Sequence, residues 1–358
     1  MKFLIFSILA SVFVVVSAEV KIIAQPRHLI ISEQEKNGEI VFSPLINGRP
    51  MRKTRVNVYE IRKDESSRMH YVLSGNDGKV VFKFEIKESP QVVIAAIPGE
   101  DAAAVYVELI SPEEWKRNSS EAAKIKLNKN LRILFLSDSL SDFNRGYNFS
   151  EKLNFWVNLY NPGKSSFRNA SVAGDFITRV WQRMEGIEGT RKEYRQEMYD
   201  ALFDEKPDLV FILLGQNDSR TSSKDGHVSP LVTPELQEKT YRDLIKLIQN
   251  KIGGKIVLVS STSSNYDLTK DNVERATKKR PDAVHVIFGP PKHMEAFNDV
   301  LIKLSKELGL DYLDIYQPMK ARKDKASLLS DVDGVHLTEK GHSFIAFEFL
   351  KYIASQQK

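Results

Sequence analysis

A change of hydrophobic period near residue 110 narrows the folds open to this chain more than any other feature. From Glu19 to about Ile110 the apolar signal comes in short alternating or β-branched runs, Glu39-Phe42, Arg55-Ile61, His70-Leu73, Lys79-Ile86, Gln91-Ile97 and Ala104-Ile110. Turn clusters such as Asn47-Gly48-Arg49-Pro50 and Gly75-Asn76-Asp77-Gly78 separate them, and no segment of helical period intervenes. That pattern predicts a small all-β sandwich over residues 19–110. The charged stretch 111–128, with Pro112 and Asn118-Ser119-Ser120, reads as a short helix and linker. From 129 to 358 apolar strand, polar loop and amphipathic helix alternate, which predicts a three-layer α/β/α domain on a parallel sheet. Its strands are expected at Arg132-Leu136, Leu209-Leu214, Ile256-Val259 and Tyr312-Ile315, and its helices around Phe176-Met184, Pro234-Gln249, Met294-Leu308 and Glu339-Ser355.

A chain of 358 residues can carry two such cores. Residues 1–18 hold one Lys, an unbroken apolar and small run, and a Val-Ser-Ala ending, the pattern of a signal peptide cleaved after Ala18. The run is short for a bilayer and no basic stop-transfer cluster follows it, so a secreted or periplasmic protein with no integral membrane segment after cleavage is expected. The absence of Cys excludes thiol catalysis, cysteine metal sites and disulfides, and leaves serine chemistry open. The net charge of +5 is spread among interspersed acidic residues, which points away from a nucleic-acid partner.

In a doubly covered parallel sheet, functional groups gather where strands end at their C-terminal edge. The run Arg132-Leu136 leads directly into Ser137-Asp138-Ser139, so Ser139 stands at that edge; a helix cap or plain loop is the commoner use of such a turn. Leu209-Leu214 leads into Gly215-Gln216-Asn217-Asp218, where Asn217 is either a cap or an amide donor for a developing oxyanion. Asn217-Asp218-Ser219 is also formally a glycosylation acceptor, a role a catalytic crevice would oppose. Before the last helix, Asp333-Gly334-Val335-His336 puts a carboxylate three residues ahead of an imidazole, able to fix Nδ1–H and leave Nε2 as a base for a serine. Asp282-Ala283-Val284-His285 has the same spacing, but His285 begins an apolar run and, if that run is a strand, lies at its starting end, away from the crevice. The remaining histidines, His28, His70, His227, His293 and His342, lack the carboxylate spacing of a zinc site.

Leu136-Ser-Asp-Ser-Leu-Ser141, Asn169-Ala-Ser-Val-Ala-Gly174, Gly215-Gln-Asn-Asp218 and Asp333-Gly-Val-His336 together resemble the four blocks of the SGNH/GDSL hydrolases, in family order. The resemblance covers Leu131 to about Tyr352 and implies a flavodoxin-like sheet and a carboxylic ester hydrolase needing no metal or organic cofactor. It implies Ser139 as nucleophile, His336 as base and Asp333 as its partner, with Ser139, Gly174 and Asn217 forming the oxyanion hole. Ser137 departs from the glycine usual in the first block, and Gly174 could instead be an N-cap glycine. The N-terminal strands resemble the Ig-like modules found beside extracellular enzymes. Export and this leading module favour short acyl, above all acetyl, esters of an extracellular glycan, in a cleft to which Trp156 and Tyr160 could contribute. The resemblance also admits lysophospholipase, thioesterase or arylesterase activity. The alternative from another class is a non-catalytic glycan-binding or surface-adhesion protein that keeps a hydrolase scaffold; loss of a triad member would support it, and Ser139, Asp333 and His336 are all present.

Overall fold

The computed structural model describes residues 19–86, 89, 91–186 and 194–357, so the leader assigned to residues 1–18 lies outside the described residues. The chain divides into two compact units, one reaching Leu109 and the other containing Ser32–Gln34 and everything from Ile110 onward.

The first unit is two antiparallel sheets. One places Asn37–Ile46 between Val20–Gln25 and Arg49–Pro50, with Val80–Glu85 also paired to it. The other runs His28–Ser32, Asp101–Ile110, Gln91–Ile97, Arg55–Ile61, Ser67–Leu73. Alternation drives their packing: Ile40, Phe42, Val80 and Phe82 of the first sheet and Val56, Val58, Val93 and Val105 of the second share one apolar core, while Val41 and Val81, between the first sheet's core residues, turn outward. This is the expected sandwich, with Val20–Gln25 and His28–Ser32 added to the strands anticipated from sequence.

In the second unit five parallel strands stand in the order Ser165–Asn169, Leu131–Ser137, Leu209–Leu213, Lys255–Val259, Asp311–Leu313. The central three are continuous apolar runs because helices cover both faces. Leu134, Leu136, Val210, Ile212, Ile256 and Leu258 meet the helices Ile177–Glu185, Pro234–Lys251 and Pro291–Leu308. On the other face Phe135 and Phe211 stack on each other and meet Phe149 and Phe349 edge-on, from the helices Phe149–Tyr160 and Glu339–Ser355. The helix Pro112–Ala122, read from sequence as part of a linker, packs on those same two helices within the second unit. Ser165–Asn169 escaped the sequence reading because an edge strand needs no apolar run, and Tyr266–Lys279 escaped because Thr269 is its one buried residue. Among the described residues no helix is long and apolar enough to cross a membrane.

Candidate active site

Leu131–Ser137 leaves the sheet into Asp138, whose Oδ1 accepts the Leu140 N–H at 3.0 Å and caps the short helix Ser139–Asp142. The capping role open to Ser139 is thus filled by Asp138. Ser139 is the first helical residue, and its N–H has no partner among the described residues.

The turn ahead of the last helix is built around one carboxylate. Asp333 Oδ1 accepts the N–H groups of Val335 and His336 at 2.8 and 2.9 Å, folding the chain back on itself. Gly334 has φ +71°, and a Cβ there would stand 2.9 Å from the carbonyl oxygen of Asn265, so the turn requires glycine. Buried Val335 and Leu337 fasten its other side into the core. His336 is thereby held with Nδ1 2.7 Å from Asp333 Oδ2 and Nε2 3.0 Å from Ser139 Oγ. A carboxylate accepts only, so Nδ1 carries the hydrogen and Nε2 is left to accept from the serine hydroxyl. Burial opposes ionisation of Asp333, but its hydrogen bonds to the ring and to the two backbone N–H groups outweigh that and hold its carboxyl below the usual range.

Asn217 follows the neighbouring strand and is 5% exposed; its Nδ2 donates to Asp138 Oδ2 at 3.1 Å, which leaves the second amide hydrogen available. Its burial opposes glycosylation of the folded chain at this sequon. Gly174, at φ +81°, lies in the loop after the edge strand, and its N–H also has no partner among the described residues. It is not a helix cap, since Phe176 takes that position for Ile177–Glu185. This loop is tied to the helix Ser139–Asp142 through Asp142, which accepts the Ala173 N–H at 2.8 Å on one oxygen and Arg145 and Arg195 on the other at 2.9 and 2.6 Å. Arg145 also donates to the carbonyls of Asn169 and Ser171, at 3.1 and 2.9 Å.

Beneath the serine lies a layer of buried carboxylates. Burial pushes the Asp138 carboxyl up to about 7, with the charge of Asp218 adding to the effect and the Leu140 N–H and Asn217 amide opposing it. Burial likewise pushes Asp218 up to about 6, although its Oδ1 accepts the Ile177 N–H at 2.9 Å. Asp175, in the same layer, is neutralised by Arg183 at 2.7 Å.

The structure brings together Ser139, His336 and Asp333 and leaves the rival pair outside. His285 precedes a two-residue strand, Val286–Ile287, that pairs with Thr221–Ser222 and not with the parallel sheet; its Nε2 meets the Arg280 carbonyl at 2.8 Å. Trp156 does not contribute to the site: it is 2% exposed, in the core against Trp115 and Phe155. Tyr160 bonds Ser119 in the helix Pro112–Ala122. Sequence reasoning missed Asp138, Asp142 and Arg145. An Asp and an Arg three apart beside Ser139 was the one available signal.

A parallel sheet between two helical layers, with a serine, a histidine and an aspartate joined at its C-terminal edge, defines a hydrolase of the α/β/α class. The model of the GDSL-like lipase/acylhydrolase family matches residues 138–344; the chain belongs to that family and is an ester hydrolase. Among solved structures it is similar to the lipase/acylhydrolase from Enterococcus faecalis, at 16% identity over 63% of this chain and 96% of that one, with TM-score 0.45. It is similar to an acetylxylan esterase from Geobacillus stearothermophilus, at 18% identity over 64% and 96% of the two chains, TM-score 0.44. A third is the psychrotrophic esterase EstA from a Pseudoalteromonas species, at 18% identity over 63% and 97%, TM-score 0.42. No curated protein sequence matches the chain.

Proposed function

We propose that Ser139 is the nucleophile of this esterase, His336 its general base and Asp333 the residue that orients the base. One observation carries this reading: the unbroken line from Asp333 Oδ2 through the His336 ring to Ser139 Oγ, at 2.7 and 3.0 Å. As Ser139 Oγ attacks the ester carbonyl, Nε2 takes its proton and Asp333 stabilises the imidazolium. The N–H groups of Ser139 and Gly174 and the free amide hydrogen of Asn217 are the proposed donors to the tetrahedral oxyanion. Nε2 then protonates the departing alcohol, and water, activated by the same base, releases the acid.

The proposed substrate is a short-chain acyl ester, most simply an acetate, on a carbohydrate outside the cytoplasm. The leader pattern of residues 1–18 supports export. The side chains of His336 and Asp333 are 32% and 39% exposed, which leaves the alcohol side of the site open to a bulky hydrophilic group. The N-terminal sandwich, in this reading, binds or positions the glycan. Because Pro112–Ala122 packs within the second unit, a truncation that tests the sandwich must end before it.

The test is hydrolysis of p-nitrophenyl acetate and longer acyl esters by the mature protein beside Ser139→Ala. Activity concentrated on acetate and abolished by the substitution is the expected result. Preference for long acyl chains would turn the assignment to a lysophospholipase or thioesterase. Equal rates for both proteins would remove Ser139 as nucleophile.

A further inference from the structure

We infer that the exposed ring of Phe143 is the leaving-group subsite, an apolar platform for the alcohol half of the ester that takes a pyranose or another ring with an apolar face. The inference rests on the roles proposed above for Ser139, His336 and Asp333. Phe143 ends the nucleophile's helix, its N–H donating to the Ser139 carbonyl at 3.0 Å. Its ring lies against the His336 imidazole, centroids 4.7 Å apart and planes tilted by 36°. Ser139 to Asp142 are all buried, yet this phenyl is 44% exposed.

The exposure does not come from a loose loop. Asn148 Nδ2 donates to the Phe143 carbonyl at 3.2 Å. The next residue, Asn144, accepts the Tyr147 hydroxyl at 2.7 Å and meets His342 Nε2 at 3.2 Å. His342 belongs to the helix that follows the His336 turn. The backbone that carries the ring is therefore fixed from both sides, by the segment carrying the nucleophile and by the segment carrying the base, and the ring itself rests on His336.

The chemistry says what such a surface meets. When the tetrahedral intermediate collapses, the bond from the former carbonyl carbon to the alkoxy oxygen breaks. The proton taken from Ser139 Oγ passes from His336 Nε2 to that oxygen. The alkoxy oxygen must then be within roughly 3 Å of Nε2, which puts the first carbons of the alcohol beside the imidazole. Phe143 is an exposed apolar surface packed on the imidazole, and the C–H face of a sugar ring can cover it while the hydroxyls stay in water. The alcohol has left before deacylation, so the contact acts on acylation and is read in kcat/KM.

The experiment compares two esters sharing the acyl group, ethyl acetate and a mono-O-acetyl methyl pyranoside, with wild type, Phe143→Ala and Phe143→Trp. Phe143→Ala should lower kcat/KM on the pyranoside about tenfold, mostly through KM, with ethyl acetate changing by less than about twofold. Its pH profile on ethyl acetate should be unaltered, and Phe143→Trp should restore the pyranoside. Equal losses on both esters, or a shifted pH profile, would overturn the subsite and leave Phe143 as a residue that only orients His336. Unchanged constants on both would also overturn it. A wild type inactive on both esters would remove the esterase reading of Ser139, and the subsite with it.

Discussion

Asp333–His336 and Asp282–His285 have the same spacing and opposite fates. In the first pair the aspartate accepts two backbone N–H groups and the ring nitrogen at once, and the ring reaches a serine 197 residues away in sequence. In the second the ring turns to the Arg280 carbonyl, and the backbone N–H bonds Ser223 Oγ at 3.0 Å. Two differences separate them. Gly334 lets the first pair close a tight turn, where the second has Ala283 and Val284 between its members. The first also leaves the last strand of the parallel sheet on the way to its last helix, whereas the second leads into a two-residue strand outside that sheet. A spacing supplies a local option, and the end of the sheet at which it falls determines whether a serine stands within reach of the ring.

The two histidines should differ most when each is removed. His336→Ala should lower kcat on p-nitrophenyl acetate by roughly 10^4-fold or more, whereas His285→Ala should leave kcat within about threefold of wild type. Comparable losses at both would end the distinction. Next in size, Asp333→Asn should cost about 10^3- to 10^4-fold, because an amide can donate toward Nδ1 and favour the wrong tautomer. Asp282→Asn should change kcat little, as measured in the same assay.

Arg145 braces the segments around the Asp333–His336–Ser139 line. Arg145→Ala frees the Asn169 and Ser171 carbonyls and one of the two arginines on Asp142, so the Gly174 loop loses its register with the helix that carries Ser139. A fall in kcat of about 10- to 100-fold at nearly constant KM is expected if Gly174 is an oxyanion donor. A pure rise in KM would count against that role.

The buried carboxylates beneath Ser139 contrast with solvent-facing Asp333 in stability. Asp138 and Asp218 are raised to about 7 and 6 by burial, so between the unfolded value of 3.8 and those values the folded state binds more protons than the unfolded one. Their contribution to stability therefore falls as pH rises from about 4 to 7. Asp333 has the opposite sign: its lowered carboxyl stabilises the fold above the unfolded value, and that contribution is lost as pH falls below it. Asp218→Asn should make Tm at pH 8 higher relative to Tm at pH 5 than in wild type, by calorimetry. An unchanged difference would mean that Asp218 titrates normally. The smallest effect expected is on His285→Ala, where loss of the bond to Arg280 should cost stability of about 1 kcal/mol in urea unfolding.

Legible along the chain were the two regimes of period, the sandwich followed by the layered domain, and the order of the segments that carry Ser139, Gly174, Asn217 and Asp333–His336. Those are local properties: alternation, helical period and turn chemistry act over a few residues and can be read from a single chain. The place of Asp333–His336 ahead of the last helix already favoured it over Asp282–His285, but it took the folded chain to bring His336 to Ser139, to put Trp156 in the core and to set Asp138, Asp142 and Arg145 around the site. Exposure of Phe143 against His336 belongs to the fold as well. Each of these depends on which strands are neighbours in the sheet, and that order is set by packing across more than a hundred residues of chain, where no short-range pattern records it.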